Sequence, residues 1–94
     1  MNNMIIRSEV EIQAAINALK ARLQEKAINE QCNTPVKEGY EEAVAILSEQ
    51  RNGFKGIEEH CHSTQSRAIA VLAVDYMRGQ CTLDTLCKIP LKKQ

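Results

Sequence analysis

Ile12, Ala15, Ile16, Leu19, Leu23 and Ala27 recur at steps of three and four residues, the spacing that gathers side chains along one stripe of an α-helix. Ser8 stands just before the run and Glu11 three residues after Ser8. This is the pattern of a capping box, in which the serine oxygen accepts from the N3 amide and the glutamate returns to the cap's own amide. The spacing predicts an amphipathic helix over 8–30, about 35 Å long at 1.5 Å per residue. An element of that length in a chain of 94 residues constrains everything packed around it.

The segment "CNTPVKEGYEEAVAILSEQRNG" carries the next start and stop. Thr34 is placed to cap, and Pro35 fits a first helical position, where an amide would be unpaired in any case. Gly53 is placed to take the left-handed conformation after the last turn. Val36, Tyr40, Ala43, Val44 and Leu47 keep the helical period between them, and Gly39 costs this second helix, over 35–52, about 1 kcal/mol relative to alanine.

A turn at "FKGI" leads into "RAIAVLAVDYM", which alternates well enough for a strand. Its alanines, and the helical spacing of Ile69, Leu72, Ala73 and Tyr76, favour a third helix instead, stopped by Gly79. Its start falls at Ile57, Ser63 or Ser66, and because it is apolar nearly all round it is expected at the centre of the bundle. Thr82 caps a short last helix over 82–89, ended by Pro90, and 89–94 is a frayed tail. The fold expected is all-α: a small helical bundle of three principal helices plus a short C-terminal helix. At this length the chain is a single domain, 1–94.

Composition limits what such a bundle does. Twelve basic and twelve acidic residues cancel, so no global field steers the protein to nucleic acid or an anionic membrane. The charges are uneven, with six acids against three bases over 35–60 and five bases against two acids over 61–94. No apolar run is long enough for a signal-peptide core or a membrane span, so a cytoplasmic setting is expected, with Cys32, Cys61, Cys81 and Cys87 reduced.

"IEEHCHSTQS" poses the sharpest chemical question, because His60, Cys61 and His62 are the candidate metal ligands. Structural zinc sites usually draw pairs at Cys-x2–4-Cys or His-x3–5-His spacing, which is missing here. Two histidines two positions apart share a side in an extended segment but diverge by about 200° on a helix. With helix expected, no metal and no cofactor is expected, and both histidines read as surface imidazoles without a buried contact. A metal site built on His60 and His62 with cysteines is the alternative if the backbone is extended. Cys61 next to histidines does not meet the geometry of an activated thiol, and Glu41 with Glu42, like Glu58 with Glu59, reads as a solvated face. No phosphate loop or catalytic motif occurs, so no enzyme is expected.

"RGQCTLDTLCK" has the outline of a helix-turn-helix, but its last helix offers one lysine to a nucleic acid, and DNA or RNA is not expected as partner. What remains is a non-catalytic interaction protein: a regulator, adaptor or inhibitor that meets a partner protein and associates with itself. Ile12, Ile16, Leu19 and Leu23 fall at alternating four- and three-residue steps, so the expected interface is that stripe, in a two-fold dimer.

Overall fold

A computed structural model of the protein describes residues 5–25, 34–51 and 53–88. Every regular element among them is helical: α1 (Glu9–Leu23), α2 (Thr34–Glu49), α3 (Ile57–His60), α4 (Thr64–Met77) and α5 (Leu83–Cys87). The expected all-α bundle is what the chain forms. No described helix is long and apolar enough to cross a membrane.

The caps explain most boundaries. Ser8 and Glu11 form the capping box of α1, and Thr82 accepts from the Thr85 amide at the start of α5. Gly79, at φ 75°, ends α4. The Gln80 amide there donates to the Asp75 carbonyl at 2.8 Å and the Gly79 amide to that of Tyr76 at 3.0 Å, which is a Schellman ending. α2 ends the same way but not at the expected residue. Gln50 rather than Gly53 takes the left-handed position, at φ 53°. The amides of Gln50 and Arg51 donate to the carbonyls of Leu47 and Ile46. A positive φ at a non-glycine residue is held here by those two bonds and by the burial of Ile46 and Leu47 beneath them.

α1 is shorter than its periodicity predicts. It spans 15 residues, about 22 Å, and closes at a Gln24 cap whose amide reaches the Ala21 and Arg22 carbonyls. The rest of the expected helix, with Ala27, lies outside the described residues, as do Cys32 and the 89–94 tail.

The central helix is α2, not the more apolar α4. α2 packs extensively on α4 along one side and on α1 along another, and α5 closes the end of the bundle against both α1 and α4. Tyr40, Leu19, Ile46, Leu47, Ile69, Met77 and Leu86 are fully buried between them. α4 buries Ile69, Ala70, Ala73, Val74, Tyr76 and Met77, while Val71 and Leu72 stay half-buried at its edge. Gly39 explains how α2 can sit in the middle. A Cβ there would stand 2.8 Å from Ile69 Cβ and 3.0 Å from the Ser66 carbonyl oxygen, so glycine is what lets the two backbones approach.

Candidate functional site

Between the turn at Gly56 and the start of α4 the backbone does something the periodicity does not reveal. Gly56, at φ 94°, admits α3, which lasts one turn and is closed by the Cys61 amide on the Ile57 carbonyl at 2.8 Å. Ser63 then caps α4, exchanging bonds with Ser66 in a second capping box. A cap residue must have non-helical dihedrals, here φ −134° and ψ 161°, so the helix cannot run through from Ile57. Cys61 is extended, at φ −118° and ψ 121°. His60 is thus the last residue of a helix, as expected, but the continuous helix expected to carry both His60 and His62 is broken at the extended Cys61.

Both histidines consequently turn toward α2. His62 meets Glu38 twice: its amide donates to Oε1 at 3.0 Å and its ring Nδ1 lies 2.8 Å from Oε2. His60 Nδ1 lies 3.3 Å from Glu42 Oε2. The same Glu42 oxygen takes an Arg51 Nη2 at 2.8 Å, and Arg51 Nε lies 3.0 Å from Glu49. Both histidines are thus partnered, and His60 departs from its reading as an imidazole without a buried contact, since Glu42 is only 9% exposed, whereas Glu38 is half-buried.

Glu41 and Glu42, read together as a solvated face, part company in the fold. Glu41 faces solvent, as do Glu58 and Glu59, but Glu42 is buried. Position carries the signal: Glu42 comes three residues after Gly39, which faces α4, and four before the buried Ile46. The bonds from the His62 amide and ring hold the Glu38 carboxyl below the usual carboxylate range. Burial, with Glu42 nearby as the next cause, pushes the Cys61 thiol up. Cys61 is wholly buried, so the middle residue of the triplet points inward while the imidazoles point along the surface. Among the described residues, no three His, Cys, Asp or Glu side chains come together in metal-holding geometry. Cys61, Cys81 and Cys87 stand as free thiols.

The expected interface stripe lies elsewhere than on the surface. Ile12, Ile16 and Leu19 are buried within the single chain, and Leu23 packs partly buried at the edge of the same core. The internal bundle core takes the stripe, so a second copy cannot reach it without opening the bundle.

Exposed apolar side chains appear at a different place, the end of α4. Ile6 is 62% exposed, Val10 79% and Phe54 45%. The Ile6 amide donates to the Met77 carbonyl at 2.8 Å, and its side chain lies against Gly79. Phe54 lies under the Arg78 guanidinium, 5.0 Å from ring centroid to carbon. Val10, in the first turn of α1, is the most exposed of the three. Periodicity does not reveal this patch, because Phe54 lies more than forty residues from Ile6 and Val10 in the sequence.

No protein-family model matches the chain, and neither the curated proteins nor the solved structures compared with it include a match.

Proposed function

We propose that the protein is a non-catalytic interaction module that associates with a second copy of itself through the apolar patch at the end of α4. The observation that carries this reading is the gathering of Ile6 and Phe54 on Met77–Gly79, with Val10 exposed on the first turn of α1. Isolated exposed apolar residues are ordinary, whereas a patch with a charged rim marks a contact surface. Val10 is flanked by Glu9 and Glu11, while Phe54 is flanked by Lys55 and lies beneath Arg78. A two-fold axis that sets Val10 of one copy on Phe54 of the other therefore brings acidic rim against basic rim, twice. A partner protein that is regulated or occluded would use the same patch.

The non-catalytic part rests on the thiols and carboxylates. Burial pushes Cys61, Cys81 and Cys87 up, the opposite of an activated nucleophile. The five-residue α5, whose Leu86 is buried, leaves Asp84 and Thr85 outward and makes a poor base reader. Free thiols fit a reducing, cytoplasmic setting.

Sedimentation at micromolar concentration tests the reading. The wild type is expected at the mass of two chains, and Val10→Glu with Phe54→Ser at the mass of one with its helical circular dichroism unchanged. A wild type of one chain ends the self-association reading.

A further inference from the structure

We propose that His60 and His62 form a two-imidazole site for a divalent transition cation of the zinc class, bound through their two Nε2 atoms, with water in the remaining positions. This is independent of self-association through the end of α4.

A histidine that ligates a metal through one ring nitrogen is usually held through the other by a carboxylate, which sets the tautomer and raises the basicity of the ligating nitrogen. Both rings here have that arrangement in advance: His62 Nδ1 on Glu38 at 2.8 Å and His60 Nδ1 toward Glu42 at 3.3 Å. An ionised carboxylate only accepts, so the Nδ1 that donates to Glu38 carries the proton of neutral His62 and its lone pair resides on Nε2. The His60 contact, longer than a good hydrogen bond, favours the same tautomer more loosely.

The backbone brings the rings to one side. Cys61, extended between them, points its own side chain into the core, and the two carboxylates stand four residues apart on α2, about 6 Å along its axis. Two nitrogens about 2 Å from a tetrahedral metal are separated by about 3.3 Å, so the two Nε2 atoms must converge to that spacing when the ion binds. The rings are free to do so, with side chains 55% and 73% exposed for His60 and His62.

The neighbours define the donor set. Cys61 stays out because its thiol is buried. Glu42 stays out because Arg51 holds it at 2.8 Å, and Glu38 is engaged by both the amide and the ring of His62. A site of two nitrogens and water is open and exchangeable, unlike the closed four-ligand sites that hold structural zinc.

Titration of the reduced, full-length protein with Co2+ tests this. One ion per chain is expected, with a visible spectrum lacking the intense thiolate-to-metal charge-transfer band, and with the ring signals of His60 and His62 selectively lost from the wild-type NMR spectrum. His60→Asn and His62→Asn, each at an exposed position, should each abolish that binding. Glu38→Gln should weaken it about ten-fold, as expected when a carboxylate behind a ligating imidazole is removed. A thiolate band, ring signals that survive saturation, binding unaffected by either histidine variant, or no binding would each overturn the proposal.

Discussion

The guanidinium of Arg7 lies over the ring of Tyr76, its central carbon 4.3 Å from the ring centroid, while its Nε donates to the Tyr76 carbonyl at 3.0 Å. Its Nη2 reaches the Cys81 carbonyl at 2.6 Å, so a single side chain preceding α1 ties down the end of α4 and the link to α5. Tyr76 completes the joint by donating its hydroxyl to the Glu11 carbonyl at 3.0 Å.

Arg7→Ala should therefore cost about 2 to 3 kcal/mol, since two charge-assisted bonds and a cation–π contact are lost together. Arg7→Lys should recover little, because an ammonium cannot fork to both carbonyls while stacking on the ring. Urea unfolding at neutral pH measures both, and a loss below about 0.5 kcal/mol for the alanine variant would show that the joint carries no stability.

Gly39→Ala sets two effects against each other. Helix propensity favours alanine by about 1 kcal/mol, but the new methyl would meet Ile69 Cβ at 2.8 Å and the Ser66 carbonyl oxygen at 3.0 Å. Neither a branched β-carbon nor a backbone oxygen yields easily, and overpacking of this kind costs about 1 to 3 kcal/mol. Net destabilisation is expected, and a gain in the denaturation midpoint would mean that α2 and α4 are not this close in solution.

Tyr40 is fully buried, and its hydroxyl donates to the Lys88 carbonyl at 2.9 Å, with that of Cys87 at 3.2 Å, at the end of α5. Tyr40→Phe should cost about 1 to 2 kcal/mol and release those carbonyls locally. The Leu86 amide, bonded to Thr82 at 3.1 Å, should then exchange its hydrogen faster than amides within α2. Uniform protection across both helices would count against the assignment.

Glu38 makes the acid side of the stability curve partly predictable. Its carboxyl is lowered by the His62 amide and then by the His62 ring. A depressed carboxyl stabilises the fold fully above the ordinary carboxylate value, and the contribution is lost as pH falls through the lowered one. Glu38→Gln should remove that part of the acid slope. In the wild type the carboxyl carbon of Glu38 should titrate below the ordinary carboxylate value, and a midpoint at that value would refute the contact.

Leu19→Glu separates the two faces of α1. Leu19 is wholly buried, so a carboxylate there is an unpaired buried charge, and the protein should unfold or lose several kcal/mol. Val10→Glu, on the outer face, makes no core contact, and at protein concentrations too low for copies to associate it should change the unfolding free energy by no more than about 0.5 kcal/mol. A folded, stable Leu19→Glu monomer would place the stripe back at an interface.

The parts of this protein legible in its sequence are those decided within about four residues. The Ser8–Glu11 box, the Thr82 cap and the left-handed Gly79 depend on amides and carbonyls one turn away, so the local residues alone settle them. The all-α fold follows from the same short-range periodicity. That periodicity says that a face of α1 is apolar, but not what covers it. Ile12, Ile16 and Leu19 are covered by the chain's own bundle because α2, with Gly39 admitting α4 so closely, occupies the centre. The histidines depended on tertiary structure in the same way. Ser63 could cap α4 only if the backbone left the helix at Cys61, and Glu38 and Glu42 met the freed imidazoles from a helix some twenty residues earlier in the chain. Long-range packing alone places those groups together, since hydrogen bonds of such sequence separation leave no periodic trace.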